Sequence, residues 1–95
     1  MSSNIDDLTI NYTDDEGQQI IKEIDKAILT RGAWTTIMFM YQEWDRRAEV
    51  WSENRVRIER YQKRSGEYRS ASKFKINTAK QVEQIVDVLK GWYSL

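Results

Sequence analysis

The chain of 95 residues contains no cysteine and no histidine, and these absences exclude several kinds of functional site. Without cysteine there is no disulfide framework, no thiolate nucleophile and no zinc knuckle. Without histidine, the usual metal ligand and the usual base near neutral pH are both missing. There are only four glycines and no glycine-rich phosphate loop. The sequence therefore favours a protein that is not an enzyme and that has no metal or other cofactor.

Long apolar runs are missing too. No stretch approaches the roughly 20 apolar residues of a membrane span, and the N-terminus lacks the basic and then apolar pattern of a secretory signal. These features favour a cytoplasmic protein with no membrane partner, associated with the nucleoid if it belongs to a cell. The length corresponds to one small domain with a limited core, so a homodimer would be a natural way to bury more surface.

Charge is unevenly distributed along a chain whose formal net charge is zero. Residues 1–29 have seven acidic and two basic side chains (net −5), and residues 30–95 have thirteen basic and eight acidic ones (net +5). We interpret residues 1–17 as an acidic flexible tail before a domain of residues 18–95. Such a tail could compete with a nucleic acid for the basic body. Its consecutive Asp14, Asp15 and Glu16 are poorly suited to hold a metal ion in fixed geometry.

Periodicity predicts several strands. Ile20, Ile24 and Ile28 fit one side of a strand and one face of a helix equally well, so both structures stay open for residues 20–29. Residues 33–44, "AWTTIMFMYQEW", predict a long strand that is apolar on both faces near its middle. Residues 55–63 and 67–76 alternate as two further strands around a tight turn at residues 64–66.

The C-terminal segment predicts a helix. Thr78 and Gln81 have the spacing of a capping box, and Gly91 lies where a C-terminal cap is common. The following apolar residues form one stripe at helical spacing: Val82, Ile85, Val86, Leu89 and Trp92. The predicted fold class is α+β, a twisted antiparallel β-sheet followed by a C-terminal α-helix packed on it.

The most unusual stretch is "RVRIERYQKRSGEYRSASKFKI", residues 55–76, which contains eight Lys or Arg side chains and two Glu. Alternation places Val56 and Ile58 on one face of the first strand and Phe74 and Ile76 on one face of the second. The basic side chains would lie opposite, so a hairpin would gather positive charge on one side of the sheet. Lys and Arg bind phosphates, and unpaired bases stack on aromatic rings, so this side is a candidate surface for nucleic acid.

The candidate contacts form two groups. The phosphate contacts would be Arg55, Arg57, Arg60, Lys63, Arg64, Arg69, Lys73 and Lys75. The stacking platforms would be Tyr61, Tyr68 and one or more of Trp34, Trp44 and Trp51. Each residue also has a structural interpretation, because basic strand faces are often only solvated, tyrosines pair across strands, and tryptophans lie in cores.

A longer stretch, "VRIERYQKRSGEYRSASKFKINTAKQVEQIVDVLKGW", resembles the C-terminal domain of positive cofactor four. Proteins of this family are single-stranded-DNA-binding transcriptional coactivators with bacterial and phage relatives. The shared features are the Arg60–Tyr61 pair, the Gly66–Glu67 turn and a basic strand leading into a capped helix. "GAWTTIMFMYQEW" is similar to the long first strand of bacterial members. The resemblance covers about residues 31–93, without the proline at the helix start and with a longer segment between the first two strands.

The resemblance implies a homodimer with grooves for single strands, bound with little sequence preference. By position it implies contacts from Arg57, Arg60, Tyr61, Lys63, Arg64, Tyr68, Arg69, Lys73 and Lys75. We therefore expect a non-enzymatic single-stranded-DNA-binding protein that serves transcription, replication or recombination machinery. The alternatives are an RNA-binding protein, a module that docks an acidic partner protein on its basic face and, more weakly, a metal-dependent nuclease.

Overall fold

The computed structural model describes residues 4–95, which form one curled antiparallel sheet and a C-terminal helix. A short 3-10 helix comes first, at Ile5–Asp7. The strands are β1 (Tyr12–Thr13), β2 (Gln19–Thr30), β3 (Trp34–Asp45), β4 (Val50–Trp51), β5 (Arg55–Arg64) and β6 (Glu67–Ile76), and the helix is α1 (Ala79–Tyr93). The predicted α+β class, with an antiparallel sheet before a C-terminal helix, is confirmed.

The sheet is a meander with the strand order β1-β2-β3-β5-β6, and β4 pairs with the end of β3. All neighbouring strands are antiparallel. Residues 20–29, for which the sequence left helix and strand open, belong to strand β2. The β5–β6 turn consists of Ser65 and Gly66, both with positive φ. Two such residues form the tight hairpin turn that matches strand twist, so the turn predicted at residues 64–66 is confirmed.

The two faces of the sheet differ in how they are covered. Thr35, Ile37, Phe39 and Tyr41 alternate along β3 and are fully or almost fully buried, and we call their side of the sheet the core face. The intervening side chains, from Trp34 to Met40, lie on the opposite side, which we call the open face. The molecule is only 17 Å thick in its smallest dimension. Trp34 and Met40 on this side are 45% and 38% exposed, so the open face lacks a second layer over much of its area.

Residues 5–13, which we call the N-terminal segment, cover the core face. Leu8 and Ile10 are only 5% and 6% exposed and belong to the same buried cluster as Ile37 and Phe39. The Lys26 ammonium group donates to the backbone carbonyls of Asp6 and Leu8, each at 2.8 Å. The interpretation of residues 1–17 as a tail separate from the domain is therefore wrong for the N-terminal segment. Residues 1–3 of that expected tail lie outside the described residues.

Helix α1 begins at the predicted N-cap Thr78, with a variant of the capping box in which Gln81 reaches back to Asn77 rather than to Thr78. The backbone N–H of Gln81 donates to Oγ1 of Thr78 at 3.1 Å, and the Gln81 side chain accepts from the backbone N–H of Asn77 at 2.9 Å. The C-terminus differs from the prediction, because Gly91 lies within the helix and Ser94 is the left-handed C-cap with φ of 56°.

The expectation that α1 packs along the sheet is wrong for most of its length. None of its residues is buried, and only Val82 and Ile85 on the apolar side are half-buried. Val82 lines an open depression with Met40, Val56 and Ile76, so the first turns of the helix meet one end of the open face. Farther along, Leu89 and Trp92 are exposed. Within residues 4–95, no helix is long and apolar enough to cross a membrane.

Candidate nucleic-acid interface

The β5–β6 hairpin divides its positive charge between the two faces of the sheet. Pairing of Ile58 with Phe74 and of Val56 with Ile76 places these apolar side chains on the open face, as alternation predicts. Lys73 and Lys75 lie on the core face, opposite Glu59 and Arg57. The register then shifts between Arg60 and Tyr61, where Ala71 is the additional residue on β6. This bulge places Arg69 on the open face, so the prediction of a single basic side is wrong.

The open face has an arginine-rich end, made of three neighbouring rows of side chains. Gln62 pairs with Trp34 on one side and with Arg69 on the other. In the row on one side of Gln62, Arg60 lies between Thr36 and Ser72. In the row on the other side of Gln62, Arg64 pairs with Glu67. Rows on one face of a sheet are about 7 Å apart and strands about 5 Å apart. We call Trp34, Arg60, Arg64 and Arg69 the tryptophan–arginine patch.

Contacts within this patch hold its side chains in place while leaving them exposed. The Arg60 guanidinium carbon lies 4.6 Å from the centre of the Trp34 ring, a cation–π contact, and Trp34 is 45% exposed. The Arg64 Nε donates to Oε1 of Gln62 at 3.1 Å. Arg69 and Glu67 form an exposed ion pair at 3.5 Å, which contributes little to stability. The patch thus combines three accessible guanidinium groups with one accessible indole.

Arg57 is not available as a phosphate contact. Its Nε lies 3.2 Å from Oε2 of Glu59, and the two side chains are 8% and 7% exposed. Its guanidinium also lies 5.6 Å from the centre of the Tyr41 ring. The Glu59 carboxylate further accepts a hydrogen bond from the Ser70 hydroxyl at 2.7 Å. Arg57 and Glu59 are therefore a buried, mutually neutralising pair, and the assignment of Arg57 to the phosphate contacts is wrong for this structure.

Tyr61 and Tyr68 lie in the core instead of on a binding surface. Both are 4% exposed and belong to the buried cluster of the core face. The Tyr68 hydroxyl donates to the backbone carbonyl of Gly32 at 2.8 Å. Burial, and next the neighbouring Glu59 carboxylate, raise the pKa of the Tyr61 phenol. The role of these tyrosines as stacking platforms is a wrong prediction, because a base cannot reach rings that the fold already covers.

The lysines of the hairpin are exposed at the edge of the core face. The Lys63 ammonium group lies 5.7 Å from the centre of the Tyr68 ring, so it covers part of that buried side chain. Lys73 and Lys75 point to the same face farther along β6. These three residues stay available to a polyanion, but on the opposite side of the sheet from the tryptophan–arginine patch.

Trp44, Trp51 and Arg55 lie at the other end of the sheet. Trp44 and Trp51 pair across β3 and β4 with ring centres 5.3 Å apart, and the Lys22 ammonium group lies 4.4 Å from the Trp51 ring. Arg55 pairs with Glu43 at 3.7 Å. Trp44 is ten residues from Trp34 on the same strand, a distance of roughly 33 Å. The structure therefore does not bring Trp44 and Arg55 together with Trp34.

A cleft of about 640 Å³ lies beside Trp44 at this end. Arg46 and Arg55 are on its wall, but so are three carboxylates, those of Glu43, Asp45 and Glu53. Because phosphates are repelled by carboxylates, the cleft is a poorer site for nucleic acid than the tryptophan–arginine patch.

The acidic cluster of the N-terminal region has structural contacts. Oδ1 of Asp14 accepts from the backbone N–H groups of Glu16 and Gln18, and its Oδ2 accepts from Arg46 at 2.9 Å. Among residues 4–95 there is no group of three or more His, Cys, Asp or Glu side chains placed to hold a metal ion.

Gln62 is the site residue that sequence reasoning missed. It separates Trp34 from Arg69 in their row and accepts the hydrogen bond that holds Arg64. The alternation of β5 could have indicated it, since residues 60, 62 and 64 share one face. The comparisons with known proteins add no residue, because no protein-family model, curated protein or solved structure matches this chain.

Proposed function

We propose that the protein binds single-stranded DNA, largely independently of sequence and without catalysing a reaction, and that the tryptophan–arginine patch is its main contact surface. The observation that carries the proposal is the Arg60 guanidinium held 4.6 Å from an indole that is 45% exposed, with Arg64 and Arg69 in adjoining rows. An aromatic platform between phosphate-binding side chains is the combination that single-strand-binding surfaces use.

The patch accommodates the two chemical parts of a nucleotide. One side of the Trp34 ring is in contact with Arg60, and the exposed remainder of the indole offers a surface for one base. Arg60 and Arg64 are four residues apart on β5, about 13 Å along the strand, and they flank the row that contains Trp34. Phosphates on either side of a stacked base would meet these guanidinium groups. In a duplex the bases are paired and stacked on each other, so a flat indole favours a single strand.

Low sequence preference follows from the same residues. Stacking depends on the face of the base, which all bases have, and guanidinium contacts to phosphate carry no sequence information. The resemblance to positive cofactor four supports this proposal and suggests a cofactor role in transcription, replication or recombination inside the cell. In this chain the contacts would be fewer than the resemblance implies, since Arg57, Tyr61 and Tyr68 are buried.

A homodimer is part of the proposal. The apolar stripe of α1 is uncovered along Val86, Leu89 and Trp92, and Trp92 is 77% exposed. Burial of apolar surface stabilises a protein by roughly 25 cal/mol per Å², so a helix with this stripe gains by packing against an identical one. Two copies would also present two patches to one strand, which raises the apparent affinity without any new kind of contact.

The experiment that tests the proposal is a binding titration followed by fluorescence anisotropy. Three labelled probes of about 20 nucleotides, single-stranded DNA, its duplex and single-stranded RNA of the same sequence, would be titrated with the full chain at low and moderate salt. The expected result is tighter binding to the DNA single strand than to the duplex, weakened by salt, with quenching of tryptophan emission. Equal affinity for RNA would assign the surface to either nucleic acid, and no binding at low salt would overturn the proposal.

A further inference from the structure

Strand β6 has an unpaired edge. In the sheet of residues 4–95, β6 pairs with β5 on one side and with no strand on the other. Residues 69–75 are all exposed, which is seven consecutive positions of a ten-residue strand. Ten residues extend over about 33 Å, and the outer side of such a strand presents free backbone N–H and C=O groups. An additional strand could pair with this edge.

The side chains along this edge differ between the two faces. Lys73 and Lys75 project on the core face, next to Arg57 and Glu59, which neutralise each other. Among the ion pairs of residues 4–95, none involves Lys73 or Lys75. With Arg69, the exposed part of β6 has three cations and no acidic residue. The two lysine charges are therefore available to an acidic partner.

The open side of the same strand is apolar. Phe74 points to the open face and is 60% exposed. With Ile76 and with Ile85 of α1 it lines a groove of about 190 Å³ beside the edge. A strand that paired with β6 would therefore have every second side chain near lysines and the intervening ones near Phe74 and Ile85.

A second copy of the chain does not fit this edge. If two β6 strands paired antiparallel around Phe74, Lys73 of each would lie opposite Lys75 of the other, with both side chains on the core face. Like charges directly opposite each other destabilise a pair of strands, and lysines at sheet edges are a common way to prevent self-association. The charge of the edge thus disfavours its own copy in this register and favours an occupant of opposite charge.

We propose that the β6 edge binds an extended acidic segment of another protein, with alternating acidic and apolar side chains, by adding it to the sheet as a further strand. Backbone hydrogen bonds to β6 supply affinity, and the alternation of carboxylates and apolar groups supplies specificity. This surface is separate from the tryptophan–arginine patch except for Arg69, so the protein has one surface for nucleic acid and another for a partner protein.

The test uses a labelled peptide of about nine residues in which Glu and Val alternate, the length of a long strand. A second peptide with the same composition, in which all Glu precede all Val, is the control. Anisotropy with the full chain should show binding at least about tenfold tighter for the alternating peptide. Two further peptides would be N-methylated at every second backbone amide, one at the odd positions and one at the even positions. Only one of these two sets of amides faces β6, so one methylated peptide should lose binding and the other should keep it.

Two variants complete the test. Lys73→Glu should weaken binding of the alternating peptide by at least about fivefold. Arg47→Glu makes the same charge change in the distant turn of residues 46–49 and should leave the binding unchanged. Equal binding of both peptides, or no effect of N-methylation, would overturn the proposal. So would disulfide-linked dimers of a Phe74→Cys variant, since they would show a second copy at the edge. The proposal would also be overturned if single-stranded DNA displaced the alternating peptide and Lys73→Glu weakened the binding of DNA as much as that of the peptide. That result would assign the edge to nucleic acid.

Discussion

Arg57 and Glu59 form an ion pair within the core face, with 3.2 Å between Nε of Arg57 and Oε2 of Glu59. They are two residues apart on β5, so their side chains project on the same face of the sheet. The pair lies among the tyrosines of the buried cluster, below Tyr41 and next to Tyr61. A one-residue slip of β5 would move the buried Tyr61 to the open face, so this register is favoured by the aromatic side chain and not by the ion pair.

Removing one partner of this pair should be costly. In Glu59→Gln the Arg57 cation stays buried without a countercharge, and we expect a loss of about 3–5 kcal/mol in the free energy of unfolding, measured with urea. The control is Glu43→Gln, which breaks the half-exposed pair with Arg55 and should cost less than about 1 kcal/mol. A Glu59→Gln protein as stable as the parent would show that the two charges do not stabilise each other.

The N-terminal segment should be part of the folding unit. Leu8→Ala removes a buried side chain from the core cluster and should lower the free energy of unfolding by about 2–5 kcal/mol. Leu29→Ala is the matched control, because the same substitution at this exposed position leaves no buried cavity and should change stability by less than about 1 kcal/mol. Equal effects of the two substitutions would contradict the packing of this segment.

This packing also changes how the acidic N-terminal region should be tested for competition with nucleic acid. Deleting residues 1–17 would remove Leu8 and Ile10 from the core, so any change in DNA affinity would be mixed with a loss of stability. Asp6 pairs with Arg31 at 3.1 Å, and Asp14 with Arg46 at 2.9 Å, rather than with the β5–β6 hairpin. Neutralising Asp7 alone is therefore a better test of this competition than the deletion, because it leaves Leu8, Ile10 and both of these ion pairs in place.

Local signals in the sequence predict the local structures well. The Ser65–Gly66 turn and the Thr78 N-cap depend on residues close in the chain, and both are where the sequence places them. The N-terminal segment depends on distant contacts instead. Its few apolar residues are interrupted by Asp6 and Asp7, so composition indicates a tail, and only the aromatic core face of β3 and β5 explains why it packs.

The candidate site was harder to predict for two physical reasons. Alternation correctly places Tyr61 and Arg57 on one face, but a strand face with Arg and Glu looks solvent-exposed unless the two charges are known to pair. The patch depends on the register of β3 against β5, which brings Trp34 next to Arg60, and on the bulge at Ala71, which moves Arg69 to the open face. Neither register nor bulge has a signal in the sequence of one strand.

Stability should fall at high pH because of buried phenols. Burial raises the pKa of Tyr61 and Tyr41 above the usual value near 10, with further increases from Glu59 and Glu43 respectively. The unfolded chain then loses these protons first, so their contribution is present below about pH 10 and lost as the pH rises above it. We expect the free energy of unfolding, measured with urea across this pH range, to fall less steeply with pH in Tyr61→Phe than in the parent protein. It should fall less steeply still in the double variant that also has Tyr41→Phe. An unchanged slope would contradict the assignment.

The apolar stripe of α1 should hold two copies together. Leu89→Lys places a charge in the middle of the stripe, and we expect the parent dimer to become monomeric, as measured by light scattering during size-exclusion chromatography. Asp87→Asn changes the charge by the same amount on the opposite side of the helix and should leave the dimer intact. A parent protein that is monomeric over the concentrations used for binding would overturn the dimer proposal.

The two tryptophans of β3 provide a matched test of the tryptophan–arginine patch. Trp34→Ala removes the stacking platform beside Arg60 and should weaken single-stranded DNA binding by about 1–3 kcal/mol, roughly fivefold to 150-fold in an anisotropy titration. Trp44→Ala makes the same change roughly 33 Å away and should leave the affinity unaltered.

Arg64→Ala separates the phosphate contribution from the stacking contribution. Loss of one phosphate contact should reduce the salt dependence of binding by about one unit of slope, in a plot of the logarithm of affinity against that of salt concentration. Trp34→Ala should lower the affinity without changing this slope, because stacking releases no counterion. Tyr68→Phe should leave both quantities unchanged, since Tyr68 lies in the core and donates to the Gly32 carbonyl. Weaker binding from Trp44→Ala or Tyr68→Phe than from Trp34→Ala would place the DNA elsewhere on the sheet.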